Sequence, residues 1–305
     1  MRNIFVKKLI ERAKKNNNIY FLTADLGYNA FEIFKNKFPD RFINVGVAEN
    51  NMIGIAAGLA LLDKEVYVYS IVPFLVFRSL EQIRNNLCNT NLNVKIMGGG
   101  GGFSYGEQGI SHNTSDDLSI MNTMPNLKVF APGSKNETEL MLDIMFKNIG
   151  PSYMRLGKVS TLDYNIQKNS FKIGNGIIVN EGKDLIIISC GNILENVLNV
   201  VQNLKKRNIN SKLISFPCIK PIKKLFLIKN LDKKNKIIII EENTKIGGLG
   251  STIKDFLIEN NYNNIVKHIC LKDIIHDKIG SQKFLRDINN LSVNKMQKEI
   301  TKLLD

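Results

Sequence analysis

The chain has 305 residues, which is enough for two domains of ordinary size. It is 44% hydrophobic and 23% charged, a composition that excludes collagen-like, coiled-coil and wholly disordered architectures. Its net charge is +14, which raises the question of a nucleic-acid partner.

The positive charge is concentrated in the second half of the chain. Residues 1–165 hold 18 basic and 15 acidic side chains, whereas residues 166–305 hold 24 and 13. The excess is mostly Lys on presumed helix surfaces and loops, and Asn and Ile are also frequent. This pattern indicates a drift in composition rather than a binding surface, so we expect no nucleic-acid partner.

The sequence also predicts a chain without membrane contact. No apolar run reaches the roughly 18 residues that a membrane-spanning helix needs. The segment Met1–Ile10 has neither a long apolar stretch nor a cleavage site, so we expect no secretory signal. The four cysteines are scattered, which argues against a zinc site or a disulfide framework. Together these features predict a cytoplasmic protein.

In residues 1–165, short apolar runs alternate with helical patterns. The predicted strands are Ile19–Asp25, Phe42–Val45, Val66–Val72, Val94–Met97, Lys128–Ala131 and Pro151–Leu156. The predicted helices are Glu49–Leu62, Arg78–Cys88, Ser115–Met124 and Lys135–Lys147. This alternation predicts an α/β domain in which helices cover both faces of a mostly parallel sheet.

A second α/β domain follows the polar segment Gly157–Lys172, which we interpret as a linker, so the expected domains are 1–165 and 166–305. Its predicted strands are Asp184–Cys190, Ser211–Phe216, Lys236–Glu241 and Ile265–Cys270. Its predicted helices are Glu195–Arg207, Gly250–Asn260 and Ser281–Leu304. The fold class is therefore α/β with two doubly wound domains.

Ligands of open parallel sheets bind outside the carboxyl ends of the strands, and Glu49 follows the second predicted strand. One interpretation is a first-turn acid that stabilises the helix dipole by roughly 0.3–1 kcal/mol. The other is a carboxylate aimed into a crevice as an acid–base group. In the same helix Gly54 and Gly58 each cost about 1 kcal/mol relative to Ala, so we expect a sheet or a partner subunit to approach there.

The segments after the third and fourth strands offer further candidates. The glycine run Gly98–Gly102 lacks the Lys and Ser/Thr of a phosphate loop, so we interpret it as backbone close to a ligand or another chain. His112 stands in a polar loop with Glu107, Gln108 and Ser111, and is either a solvated side chain or part of a functional cluster.

Phe74, Phe77 and Arg78 follow the third strand. They are either core aromatic residues beside a surface cation or a stacking platform for a heterocycle. Nothing in the residues alone decides between these two interpretations.

Taken in order, these segments resemble the C-terminal half of transketolase, and more closely the smaller subunit of the split transketolases. The resemblance covers essentially the whole chain. In the first domain it depends on Ala24–Leu26, Val45–Met52, Pro73-Phe74, Arg78, Glu81–Asn85, Gly106–His112, Pro125–Pro132 and Pro151–Lys158. In the second domain it depends on Lys220-Pro221, Glu241-Glu242 and Gly247–Gly250.

The resemblance implies that residues 1–165 bind the pyrimidine of thiamine diphosphate, the cofactor that carries the carbanion chemistry of this family. Glu49 matches the catalytic glutamate, which hydrogen-bonds the aminopyrimidine N1′ and favours the imino tautomer. Phe74, or Phe77 if the alignment slips to that residue, matches the ring that stacks on the pyrimidine. Asp25 matches an Asp-Leu pair near the middle of the cofactor.

The resemblance also implies substrate contacts. His112 matches a histidine that contacts sugar oxygens, and Arg155 and Lys158 lie where the family places a basic residue against the substrate phosphate. Gln108 stands where full-length transketolases have an acid that meets a sugar hydroxyl, and glycine near Gly100 replaces a further histidine. The ordinary pentose phosphate substrates are therefore in doubt.

One family motif is missing. The diphosphate and its divalent ion are held by a Gly-Asp-Gly segment with a downstream Asn, and no Gly-Asp-Gly occurs in this sequence. The resemblance thus implies a partner chain that supplies the diphosphate and Mg²⁺ or Ca²⁺ site, with no metal ligand from this chain, in an α₂β₂ assembly. The alternatives are an E1 β-type subunit of a 2-oxo acid dehydrogenase, an enzyme similar to deoxyxylulose phosphate synthase, and a degenerate, non-enzymatic scaffold.

Overall fold

The computed structural model describes residues 1–27, 29–158, 162, 164–166 and 171–304. The seven strands of its first sheet are β1 Ile19–Thr23, β2 Phe42–Asn44, β3 Glu65–Ile71, β4 Val94–Gly99, β5 Lys128–Phe130, β6 Ser152–Leu156 and β10 Cys218–Lys220. Their order in the sheet is β10-β5-β6-β4-β3-β1-β2. All neighbours are parallel except β10, which runs antiparallel to β5.

Helices cover both faces of this sheet. They are α1 Arg2–Ala13, α2 Glu32–Lys37, α3 Glu49–Leu61, α4 Val72–Arg78, α5 Leu80–Gln82 with a π-helical turn Ile83–Cys88, α6 Asp117–Thr123 and α7 Lys135–Lys147. An apolar core lies on each face of the sheet, and consecutive residues of β1 point into different cores. Leu22 packs with α3 and α4, whereas Phe21 packs with α1, α2 and α7. Strands that are buried on both faces require near-continuous apolar runs, and such runs are the pattern from which these strands were predicted.

The five strands of the second sheet are β7 Ile177–Asn180, β8 Leu185–Ser189, β9 Ser211–Ser215, β11 Lys236–Thr244 and β12 Val266–Leu271. Their order in the sheet is β12-β11-β8-β9-β7. Its helices are α8 Leu194–Lys205, α9 Lys224–Asn230, α10 Leu249–Glu259, α11 Gln282–Ile288 and α12 Val293–Leu304. Ile238 of β11 faces α8 and α12, and its neighbour Ile239 faces α10. The predicted fold class, two doubly wound α/β units, is confirmed.

The two sheets are joined more closely than the sequence predicts. Strand β10 lies after β9 in the chain, yet it pairs with β5 of the first sheet, where Cys218 lies opposite Phe130. One continuous apolar core also includes residues of both sheets, such as Val129 and Ile214. The predicted linker Gly157–Lys172 lies partly outside the described residues.

Several elements differ from the predicted ones. The segment after β3 forms a helix that was not predicted, α4, and Pro73 occupies its first turn, where a missing N–H costs nothing. Helices α1, α2 and α9 and strands β7 and β10 were not predicted either. The prediction of one helix over Ser281–Leu304 is wrong, because the chain forms two helices there, α11 and α12. In α3, a Cβ at Gly54 or Gly58 would meet no atom within 4 Å, so the sheet does not supply the close approach expected there.

Among the described residues, no helix is long and apolar enough to cross a membrane.

Candidate active site

Glu49 is the first residue of α3, and its carboxylate is buried, with 1% of the residue exposed. One carboxylate oxygen, Oε1, accepts a hydrogen bond from the Ser70 hydroxyl at 3.0 Å. The other, Oε2, accepts one from Nη1 of Arg78 at 3.0 Å. A helix-dipole acid is normally solvated, whereas this carboxylate is desolvated and held at both oxygens. Each oxygen retains a second lone pair for a ligand.

An aromatic ring extends this arrangement towards the loop that carries His112. The guanidinium of Arg78 lies 4.1 Å from the centroid of the Phe74 ring. The Phe74 ring meets the His112 imidazole edge to face, with the ring centroids 5.1 Å apart. Phe77, on the same helix, has 42% of its surface exposed. The structure therefore brings Glu49, Phe74 and His112 into one network.

His112 lies in the loop between β4 and α6, and its Nδ1 is 3.0 Å from the Ser111 hydroxyl. Desolvation lowers the pKa of His112, which favours the neutral imidazole near neutral pH. A neutral imidazole has one donor and one acceptor, so it can hydrogen-bond either a hydroxyl or a carbonyl oxygen. Glu107 and Gln108 of the same loop are exposed.

Asp25 lies at the same edge of the sheet, directly beyond β1. It adopts a left-handed backbone conformation with φ +52°, and its N–H donates to the Asn44 side-chain oxygen at 2.9 Å. The Asn44 amide in turn donates to the Asp25 carboxylate at 3.2 Å. These two bonds fix an exposed carboxylate at the end of β1.

A cleft of about 660 Å³ lies at the carboxyl ends of β3, β4 and β6. Its charged side chains are those of Arg2, Lys135 and Lys158 and the single acid Glu139, and Tyr69 and Tyr105 also line it. Because side chains alternate along a strand, β3 presents Ser70 to Glu49 and the neighbouring Tyr69 to this cleft. Burial raises the pKa of Tyr69 well above its ordinary value, so its hydroxyl stays protonated. Lys158 was expected from the sequence to contact the substrate phosphate, whereas Arg2 and Lys135 were not expected beside it.

The structure does not support the predicted phosphate contact at Arg155. Only 3% of this residue is exposed, and its guanidinium pairs with both carboxylate oxygens of Asp117. Its Nη1 donates to the Glu242 carbonyl at 3.0 Å, and Nη2 lies 3.4 Å from the Asn243 side-chain oxygen. Arg155 therefore connects α6 to β11. Within the described residues, no group of three or more His, Cys, Asp or Glu side chains is placed to hold a metal ion.

Comparisons with known proteins agree with this architecture. The family description "Transketolase, pyrimidine binding domain" matches residues 1–161, and "Transketolase, C-terminal domain" matches residues 174–289. A "Putative transketolase C-terminal section" of Methanocaldococcus jannaschii is 35% identical over 90% of this chain and 87% of its own. A subunit of the apulose-4-phosphate transketolase of Actinobacillus succinogenes is 29% identical over 94% of this chain and 92% of its own.

A solved structure is similar over nearly the whole chain. It is described as "Split gene transketolase, inactive beta4 tetramer", with a TM-score of 0.88 and 30% identity, and the match covers 99% of this chain and 97% of that one. The fold and the buried Glu49 network thus define a pyrimidine-binding domain followed by a C-terminal domain. The chain belongs to the transketolase family, which confirms the resemblance seen in the sequence and implies dependence on thiamine diphosphate.

Proposed function

We propose that this chain is the pyrimidine-binding subunit of a split transketolase, which transfers a two-carbon ketol unit between sugar phosphates in cytoplasmic carbohydrate metabolism. The observation that carries the proposal is the buried Glu49 carboxylate, fixed by Ser70 and Arg78 beside the Phe74 ring. The relatives described as parts of transketolases support it.

The residues present fit a heteroaromatic cofactor ring. Glu49 offers a desolvated carboxylate to a ring nitrogen, and Phe74 offers an aromatic neighbour at the same edge of the sheet. Thiamine diphosphate, when bound, supplies a stabilised carbanion for cleaving and forming C–C bonds. In this proposal Glu49 shares a proton with the pyrimidine N1′, Asp25 lies near the middle of the cofactor, and neutral His112 hydrogen-bonds a sugar oxygen.

The basic cleft supports an anionic sugar as the substrate. Arg2, Lys135 and Lys158 place three cations around a cavity large enough for a sugar phosphate, and charge-assisted hydrogen bonds favour phosphate there. We propose that Lys158 and Arg2 bind the phosphate, whereas Arg155 does not. Gln108 is exposed on the neighbouring loop, where it is available to a sugar hydroxyl.

The proposal requires a second chain. The sequence lacks the Gly-Asp-Gly segment, so we propose that the partner binds the diphosphate and Mg²⁺ or Ca²⁺ in an α₂β₂ assembly. Open space at Gly54 and Gly58 and exposed apolar side chains at Val47, Leu61 and Leu62 support a protein partner against α3. The similar structure of β chains alone is described as inactive.

Reconstitution tests the proposal. The chain should show no ketol transfer alone, and should gain it with thiamine diphosphate, Mg²⁺ and a partner that carries Gly-Asp-Gly and a downstream Asn. Glu49→Gln should lower turnover of the complex at least 100-fold, measured by aldose release from sugar phosphate donors. Glu32→Gln is the matched control, because Glu32 is also a first-turn acid but is exposed. Turnover of Glu49→Gln within tenfold of wild type would refute the assignment, and turnover by the isolated chain would refute the split site.

A further inference from the structure

The loop that carries His112 is anchored in the second domain. Between β4 and α6 the chain leaves the first sheet, and the Phe103 side chain is completely buried in the core formed by α8, α11 and α12. Leu285 and Ile187 of the second domain belong to the same core. A large ring of one domain thus fills a site in the other.

A buried carboxylate holds the backbone at the same point. Glu242, on β11, is 2% exposed, and its Oε1 accepts a hydrogen bond from the Phe103 N–H at 2.8 Å. Its Oε2 accepts from Nε of Arg286 at 3.0 Å and also from Nη2 of the same guanidinium. Gln282 lies 3.3 Å from Oε1. The carboxylate is therefore fixed by Arg286 and Gln282 of α11, and through Oε1 it also holds the backbone of the loop.

Glycines allow this close approach. Gly102 has φ +57°, and a Cβ on it would lie 2.7 Å from the carboxyl carbon of Glu242. A second tether lies nearby, where the Gly280 N–H donates to the Gly106 carbonyl at 3.2 Å. The sequence led us to expect that the glycine run lies close to a ligand or to another chain. At Gly102 it lies instead against the second domain of the same chain.

The anchor is connected to His112 through the backbone of the loop. The Gly102 carbonyl accepts a hydrogen bond from the Thr114 N–H at 3.0 Å, which closes the base of the loop two residues beyond His112. The His112 N–H donates to the Gly109 carbonyl at 3.0 Å. The His112 side chain in turn meets the Phe74 ring of α4. Movement of residues 102 and 103 would therefore move His112 relative to Phe74 and Glu49.

We infer that Glu242, held by Arg286, is a positioning residue that sets the place of His112 for the sugar substrate; this role in catalysis rests on the proposed function. The bond from Phe103 N–H is charge-assisted, because the acceptor is an ionised carboxylate paired with a guanidinium. The second domain thus acts on the active site without touching the substrate.

Hydrogen–deuterium exchange of the full chain tests the anchor without any activity. Glu242→Ala should raise the exchange rates of amides 102–114 at least tenfold. Glu241→Gln is the matched control, because Glu241 is equally buried on the same strand but bonds the N–H groups of Leu249 and Gly250. Exchange in that control should stay within twofold of wild type. If Glu242→Ala does not fold, the double variant Glu242→Ala/Arg286→Ala replaces it, because it leaves no unpaired buried charge. We expect the same increase in the exchange rates of amides 102–114 in the double variant.

Kinetics of the reconstituted complex test the positioning role. Glu242→Ala should raise KM for the sugar phosphate at least fivefold, with cofactor affinity within twofold of wild type, because Glu49 and Phe74 lie on other elements. Glu242→Gln, which keeps an oxygen acceptor for Phe103, should restore most of the loss. A purely structural role would lower the active fraction, and thus kcat, at constant KM.

Two results would overturn the inference, namely loop exchange within twofold of wild type in Glu242→Ala, or an unchanged KM in an active complex. If the wild-type complex shows no turnover, the proposed function fails, and the exchange experiment still decides whether Glu242 anchors the loop.

Discussion

At the scale of single residues, the two rings on α4 differ in their surroundings. Phe74 lies between Arg78 and His112, whereas Phe77 has 42% of its surface exposed. Phe74→Leu should lower the affinity of the reconstituted complex for thiamine diphosphate about three- to tenfold, because an aromatic pair contributes about 0.5–1.5 kcal/mol beyond its buried area. Phe77→Leu should change it less than twofold. Calorimetric titration at saturating partner distinguishes the rings, and the opposite ranking would assign the stacking ring to Phe77.

Lys95 is a buried cation that the proposed chemistry does not use. It is fully buried on β4, and its Nζ donates to the carbonyls of Asn148 and Gly150 at 2.6 and 2.8 Å. Desolvation lowers the pKa of Lys95 from 10.5 to about 7. Between pH 7 and 10.5 the unfolded chain therefore binds the proton more tightly than the folded one, so this residue's contribution to stability rises with pH.

The test compares wild type with Lys95→Met by urea unfolding at pH 7, 8 and 9. The free energy of unfolding of wild type minus that of the variant should rise with pH, by at most about 1.4 kcal/mol per unit, which is the value for one proton. Because the other titratable groups are the same in both proteins, their contributions to the pH dependence cancel in this difference. A difference that stays constant between pH 7 and 9 would show that Lys95 remains charged in the folded protein.

The position of a site residue was predictable from the sequence when it depends on a single helix or strand. Glu49 follows a strand and begins a helix, and both facts are readable from the sequence. The phosphate contact expected at Arg155 finds no support in the structure, because Arg155 lies inside β6, where it is enclosed by α6 and β11, whereas Lys158 lies beyond the strand end. Arg2 was not expected at the cleft, because its proximity to Lys158 depends on how α1 packs on the sheet.

At the scale of elements, the start of α7 borders the basic cleft. Ser134 is the N-cap, and its hydroxyl accepts a hydrogen bond from the Glu137 N–H at 3.1 Å. The Glu137 carboxylate reaches back to the Gly133 N–H and also accepts from the Tyr164 hydroxyl. This variant of a capping box satisfies helix-end donors that are completely buried.

Ser134→Ala should therefore lower the free energy of unfolding by about 1–2 kcal/mol, at the upper end for a lost cap. Ser281→Ala is the matched control, since Ser281 also caps a helix, α11, by accepting from the Phe284 N–H at 3.2 Å, but is exposed. That variant should cost less than about 1 kcal/mol. Urea unfolding measures both, and equal costs would show that burial of the cap has no effect.

Elements were predictable from sequence in proportion to their apolar periodicity. Strand β8 and helix α7 agree with the predicted ranges to within a residue or two, because each buries a regular apolar pattern. Strand β10 has three residues and exists only because β5 offers an edge, so no local pattern reveals it. Helix α4 was hidden by Pro73, which favours a turn equally well.

At the scale of the whole molecule, strand β10 and a buried ion pair add to the contacts that couple the domains. Strand β10 completes the first sheet with a segment from the second half of the chain. The buried pair of Arg155 and Asp117, with the Tyr153 hydroxyl donating to Asp117 at 2.6 Å, ties α6 and β6 to the Glu242 carbonyl of β11. Neither coupling was predicted, because neither is visible in a local pattern of the sequence.

We therefore expect the two domains to unfold in a single cooperative transition. Asp117→Ala should lower the free energy of unfolding by about 3–5 kcal/mol, because it leaves the Arg155 guanidinium buried without its counter-ion. The double variant Asp117→Ala/Arg155→Met should recover at least half of that loss, since it removes the unpaired charge. Asp287→Asn, which affects an exposed acid, should leave the free energy of unfolding close to that of wild type. Calorimetry measures all four proteins, and two resolved transitions in wild type, or a cost for Asp117→Ala below about 1 kcal/mol, would show that this pair does not couple the domains.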